Sequence, residues 1–454
     1  MIIESQQKNH ELRRRKRYIY NLKSAAMLNK SCSGWSDDSL VTESGVMEYV
    51  LSPLLLTFTV WVLQQAKKDN VKTLFFLARD GYLVYKIAKM LCDSYGWDFD
   101  CKYFYCSRYS LRIPMYSKNL SEALDYICRG GIDITFRKIM IRSGFKEKKI
   151  GEMKRYFADI DFDSVIPYPL LGKIRERLKS CPEYINDLKM ISQEKWNPLK
   201  EYFQQEGMFT DESVGIVDSG WTGTTQKSIC DIRRYCGYNN SKIRGYYFGL
   251  FEYPDDGGIG QYRSFYFDSK NQLLNKLMFS NCLFEAIVSA NHGTSCGFSF
   301  KGKVLPELQP YKSDPRKQCL LDTFYSFGKV FVEQTPTLNI EKIPIMQYKR
   351  ALQKSLRIFM WNPTKMEAEF FGKFKFSDDL LDQTTREVAP LFSDQHLMEN
   401  HLINKLMTAL GIRKTPIHES AWYEASAVRN GKHSLHHRIS NSIYKLLSYI
   451  KKGI

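Results

Sequence analysis

The stretch "VKTLFFLARDGYLVYKIAKML", Val71 to Leu91, decides the fold. A β-rich apolar run, Leu74 to Ala78, stops at Arg79-Asp80-Gly81 and gives way to helical spacing. That is a strand, a tight loop and a helix, with a cation, an anion and a glycine at the junction. In open α/β sheets, ligands bind outside the carboxyl ends of strands. A charged pair there reads as a ligand contact, with a plain salt bridge as the alternative. Upstream, "YVLSPLLLTFTVWVLQQAKK" from Tyr49 has an apolar stretch of about 14 residues, short of the roughly 20 a membrane span needs. It reads as a buried helix with Pro53 in its first turn, packed behind the Leu74 strand.

Downstream, "CKYFYCSR", Cys101 to Arg108, reads as the next strand, with Arg112 one helical turn further on. Residues 116–208 turn helical and charged, an insertion suited to a cap or an acceptor surface. Strands return at "SVGIVDSG" and "KIRGYYFGLFEY". A helix, "LLNKLMFSNCLFEAIVSA", then precedes a loop, "NHGTSCGFSF". Alternating strands and helices imply an α/β, doubly wound parallel sheet. The expected organisation is a basic arm over 1–48, an α/β core over 49–300 and a mostly helical region over 301–454.

Composition narrows the class. With 454 residues, 43% hydrophobic and 14% aromatic, the chain packs a sizeable core and is not disordered. Its 11 cysteines form no C-x-x-C pair, which reads as a reduced, cytoplasmic chain without structural zinc. The net charge of +17 attracts anionic lipid, phosphorylated substrates or nucleic acid. It concentrates in Lys8 to Lys23 and in the tail from Arg429. In that tail Ile439, Ile443, Leu446, Leu447 and Ile450 recur at helical spacing beside Arg438, Lys445, Lys451 and Lys452. A basic amphipathic helix of this kind lies on an anionic membrane surface, unless its stripe docks on the core.

A second stretch, "VGIVDSGWTGTTQKSI" from Val214 to Ile229, complements the first. An apolar strand ends at Asp218, and Ser219-Gly220-Trp221-Thr222-Gly223-Thr224-Thr225 runs into a helix. Amides and hydroxyls at a helix start form a phosphate cradle. The loop lacks the lysine and glycine spacing of a Walker A motif, and it is no G-x-G-x-x-G fingerprint. Asp218 is placed to accept bonds from sugar hydroxyls, unless it only caps the helix. Glu285 lies in an apolar helix, where an acid must be paired or used. His292 follows in a glycine-containing loop.

This second loop resembles the phosphoribose loop of phosphoribosyltransferases, and Arg79-Asp80-Gly81 occupies the position of their pyrophosphate loop. "FLARDGYLVYKIA", "YFYCSRYSLRIP", "IVDSGWTGTTQ" and "LFEAIVSANHGTSCGF" together resemble a group of bacterial polysaccharide-biosynthesis proteins over roughly residues 49–300. Phosphoribosyltransferases usually carry two adjacent acids in the phosphoribose loop; here Ser219 follows Asp218. The resemblance implies transfer of 5-phosphoribosyl from phosphoribosyl pyrophosphate, with Mg²⁺, to a lipid-linked glycan at the inner membrane surface. A separate phosphatase of the haloacid dehalogenase type would then remove the 5-phosphate. It assigns Arg79, Gly81, Ser107, Arg108 and Arg112 to pyrophosphate. Asp218 to Thr225 would hold the phosphoribose, with His292 at the substrate unless it is a plain surface residue, and Trp221 stacked on sugar or acceptor unless it only packs. Asp80 and Glu285 are the candidate bases, and Asp80 and Asp218 the metal ligands. A phosphatase is disfavoured, because Ala78 stands where D-x-D would need its nucleophile. A non-catalytic regulator of the same fold and a nucleic-acid binder are the alternatives. The chain has no recognisable nucleic-acid motif, so no nucleic-acid partner is expected.

Overall fold

The strand that stops just before Arg79 lies inside a five-stranded sheet whose strands all run parallel. The computed structural model describes residues 2–33, 45–130, 134–239, 243–254, 260–377, 385–410, 412, 418 and 420–453. The strands are β1 (Thr73–Leu77), β2 (Asp100–Phe104), β3 (Val214–Trp221), β4 (Ile243–Leu250) and β5 (Gln261–Phe267), in the order β2-β1-β3-β4-β5. The chain therefore steps outward from β1 to β2, returns across β1 to β3, and continues the other way. The reversal opens a crevice between the carboxyl ends of β1 and β3, where doubly wound sheets bind ligands.

Strand β1 is apolar throughout because both of its faces are covered. Leu74 and Phe76 point into a cluster with the helices Ser52–Lys68 and Tyr82–Tyr95. Phe75 and Leu77 point the other way, into a cluster with Leu199, Phe203 and Ile229. That alternation is the two-residue period of a strand. The segment Met47–Lys68 is long and apolar enough to cross a membrane, yet 94% of its most apolar window is buried inside the protein. It is a core helix, with Pro53 in the first turn as its sequence requires.

Four local features differ from the expectations or add to them. The basic N-terminal arm is two helices, Ile2–Leu22 and Ala26–Ser33, whose Tyr18, Leu22 and Leu28 enter the main core. The second strand stops at Phe104, and Ser107-Arg108 opens a helix, Arg108–Arg112, because Ser107 and Ser110 form a reciprocal capping box. The loop after Asn291 contains half of a hairpin, β6 (Ser295–Lys301) with β7 (Lys303–Leu308). Strand β5, not foreseen, closes one edge of the sheet. Within the insertion, residues from Tyr109 to Leu188 bury a cluster of their own.

The helix Ser434–Lys452 is mounted polar side inward. Asn441 Nδ2 and Lys445 Nζ donate to Glu424 Oε1 at 3.1 and 2.9 Å. Arg438 donates to the Trp361 carbonyl at 3.0 Å and to Asn362 Oδ1 at 2.6 Å. Its aliphatic row, Leu435, Ile439, Ile443, Leu447 and Ile450, faces solvent. Two of the expected basic residues, Arg438 and Lys445, are thus engaged inside the protein, Lys451 stays exposed, and the apolar stripe does not dock on the core.

Candidate active site

The turn after β1 is held from three sides. Gly81 N donates to the Leu77 carbonyl at 2.8 Å, closing the loop tightly. A Cβ at Gly81 would lie 2.6 Å from that same oxygen, so only glycine fits. The Ala78–Arg79 peptide is cis. Ala290 N donates to the Arg79 carbonyl at 3.0 Å, tying the turn to the end of the helix Asn281–Val288.

Asp80 is gripped by two serines from different elements. Ser219 Oγ, at the end of β3, donates to Oδ2 at 2.5 Å. Ser289 Oγ lies 2.8 Å from Oδ1 and also within reach of the Glu285 carbonyl. Glu285 in turn accepts a bond from the Trp221 indole N–H. Asp80, Asp218 and Glu285 consequently share one crowded site with Arg79 and Arg108. Burial holds the Asp218 carboxyl well above the usual carboxylate range, and neighbouring Asp80 and Glu285 push it further. The amides of Ser219 and Gly220 oppose that shift. Burial and then Asp80 raise Glu285 to about 8, against the pull of Trp221, Arg108 and Arg79. Carboxylates that repel each other in a poorly hydrated site favour a cation between them.

The end of β3 is bent into its shape. Gly220, Trp221 and Gly223 have φ of 107°, 76° and 62°, three left-handed residues in four positions. For tryptophan such a φ is an outlier of the kind that clusters at functional sites. Its packing enforces it: Phe251 N and Glu252 N donate to the Trp221 carbonyl, and the indole packs among Phe251, Phe267 and Phe279. Trp221 is thus committed to packing and to Glu285. The helix Thr224–Tyr235 begins immediately afterwards, with Gly223 as its N-cap. Asp218 is therefore not the capping residue. The Thr222 and Thr224 hydroxyls stand 3.4 Å apart at the helix mouth, with Thr225 in the first turn.

The remaining candidates divide. Ser107 caps its helix and donates to the Ser295 carbonyl at 2.6 Å, which makes it a structural link to the hairpin. Arg108 is exposed and close enough to Glu285 to lower its titration. Arg112 turns away, its guanidinium 3.9 Å over the Tyr126 ring. His292 is no bare surface residue. Its Nε2 lies 2.7 Å from Tyr103 Oη and its Nδ1 2.9 Å from the Gly293 carbonyl. Burial lowers its pKa, so the ring is neutral, with Nδ1 carrying the proton toward the carbonyl. Sequence reasoning missed Ser289 and Tyr103. Their only signal was a small polar residue closing the Glu285 helix and a tyrosine within β2.

Among the described residues, no three histidine, cysteine or carboxylate side chains converge as a metal-holding group. Asp80 and Asp218 would leave most of an ion's coordination to ligand oxygens and water, the habit of Mg²⁺ at phosphate sites. No protein-family model matches the chain, and no curated protein matches it in sequence.

Proposed function

We propose that the protein is a phosphoribosyltransferase that moves 5-phosphoribosyl from phosphoribosyl pyrophosphate to a hydroxyl of a lipid-linked glycan. One observation carries the reading. The reversal of strand order brings Arg79-Asp80-Gly81, after β1, against Asp218 and Ser219, near the end of β3, with the Gly220–Thr225 turn following. Departure of pyrophosphate builds positive charge on the ribose ring and negative charge on the leaving group, so fixed cations must face the latter. Arg79 and Arg108 take that part. The amides and hydroxyls of Thr222 to Thr225 hold the 5-phosphate, and Asp218 orients the ribose hydroxyls. Mg²⁺ held by Asp80 and Asp218 would neutralise the diphosphate.

The acceptor hydroxyl needs a base on the face opposite pyrophosphate, which inverts the anomeric centre. Asp80 is occupied by two serine hydroxyls. Glu285, raised to about 8, titrates near working pH and is the better base. The product keeps its 5-phosphate, since Ala78 removes the phosphatase nucleophile, and a separate phosphatase acts afterwards. Attachment to the inner membrane surface, where lipid-linked acceptors sit, is assigned to the exposed stripe of the helix Ser434–Lys452.

Titration with phosphoribosyl pyrophosphate and Mg²⁺, followed by hydrogen exchange, should protect the amides of residues 218–226. Mass analysis of a glycan acceptor should then show a gain of one phosphoribosyl unit and release of pyrophosphate. Absence of donor binding at millimolar concentration overturns the reading.

A further inference from the structure

A cavity of about 580 Å³ lies between the helical insertion and the helix Thr224–Tyr235. Two helices that begin at candidate-site residues, Arg108 and Thr224, also line it. Arg112 stands one helical turn after Arg108, and Lys227 and Ser228 one turn after Thr224. The cavity carries cations that lack a carboxylate. Arg112 lies 3.9 Å over Tyr126, and its buried Nε has no hydrogen-bond partner. Lys118 Nζ stands 4.6 Å from the Tyr235 ring centre and 5.0 Å from that of Trp196. Among the described residues neither cation forms an ion pair. Lys227, by contrast, is fully employed: it bonds Glu122 at 2.9 Å and Asp231 at 2.7 Å, clasping the insertion to the helix.

A guanidinium at a cavity wall with no carboxylate partner is suited to meet an anion. Tyrosine faces beside such cations suit a saccharide ring that bears negative charge. We infer that this cavity is the acceptor subsite and that the acceptor is an acidic saccharide, its anion met by Arg112 and Lys118. The inference rests on the transferase reading for the word acceptor, but the recognition chemistry stands on the cavity alone. The anion is either a uronate of the glycan or the diphosphate that joins a glycan to its lipid carrier.

Calorimetry with three probes separates these: a glucuronate-containing disaccharide, a sugar 1-diphosphate and a neutral disaccharide. One acidic probe should bind at least tenfold more tightly than the neutral one, and the better of the two names the source of the anion. Arg112→Gln and Lys118→Gln should each lose that preference, while Arg112→Lys and Lys118→Arg, which keep the charge, should retain much of it. Donor-induced protection of residues 218–226 should persist in all four variants. Equal binding of acidic and neutral probes, or a preference unmoved by both glutamine variants, overturns the inference. Acidic binding without any donor binding keeps the cavity assignment and removes the transferase reading; donor binding with no saccharide preference does the reverse.

Discussion

Glu285 is the residue whose titration the surroundings control most usefully. Its basic form is the deprotonated one, so transfer should rise with pH through about 8. The Trp221 indole N–H favours the charged carboxylate, and Trp221→Phe removes it. That variant's rising limb should move to higher pH, which a pH–rate series of kcat/KM would show; an unmoved limb would mean that another group is the base. The same shift bears on stability. The folded chain binds this proton more tightly than the unfolded one, so the group's contribution to stability falls as pH rises from about 4.3 toward 8. Asp218 makes a related contrast. Asp218→Asn replaces a carboxyl that is crowded by Asp80 and Glu285, so melting temperature should hold or rise. Transfer should nevertheless fall by on the order of 10²–10³, the usual cost of one lost contact at a preorganised charged site. Arg79→Ala should lose activity on the same scale by uncovering the leaving group. Near-normal rates in either variant would remove the residue from the site.

The end of β3 is the element on which the site depends. A Cβ at Gly220 would lie 2.4 Å from the Gly249 carbonyl of β4, a backbone atom that cannot step aside. Gly220 also sits at φ 107°, so Gly220→Ala meets both obstacles. It should cost about 2–3 kcal/mol, read by denaturant unfolding. A neutral result would mean that β3 and β4 do not approach so closely. Strands β1 and β3 were legible because each is an apolar run that stops abruptly at charged or small residues. Strand β5, "QYRSFYF", was not: its polar first half blurs the pattern, and it pairs only on the side of β4. The end of β2 was misread because "YFYC" is β-prone, although the serines at 107 and 110 spelled a capping box. The hairpin was hidden by its shortness of turn, a single Gly302 at φ 76° between β6 and β7. Asp80, Ser219 and Ser289 could be suspected one by one, but their convergence could not. The Asp80–Ser289 bond joins positions 209 residues apart, which only tertiary packing decides.

At the scale of the whole molecule, the C-terminal helix inverts the usual arrangement of a surface helix, in which the apolar stripe faces the core. His437, Arg438, Ser440 and Asn441 are buried, whereas Ile439, Ile443 and Leu447 are 45%, 42% and 41% exposed. Deleting the helix is therefore a poor test of membrane attachment. It would strip Asn441 and Lys445 from Glu424, which is only 2% exposed, and leave a buried carboxylate unpaired. The informative variant keeps the inner face and changes the outer one: Ile439→Ser, Ile443→Ser and Leu447→Ser together. Each aliphatic side chain contributes about 1.5–3 kcal/mol when fully buried. The triple variant should thus weaken sedimentation with anionic vesicles by on the order of 10²-fold or more. Its turnover on a short soluble acceptor should be unchanged, while transfer to a lipid-linked acceptor slows. Salt separates the two possible driving forces. Arg429, Arg438 and Lys445 are held by Glu387, Asn362 and Glu424, and Lys432 pairs with Asp394. With Arg438 and Lys445 engaged inside, the aliphatic stripe is the main contact this helix offers, and vesicle binding should persist at ionic strengths that screen surface charge. Binding that disappears with salt would assign attachment to charge elsewhere on the chain. A wild-type protein that sediments as a dimer without lipid, and as a monomer in the triple variant, would make the stripe a contact between copies instead.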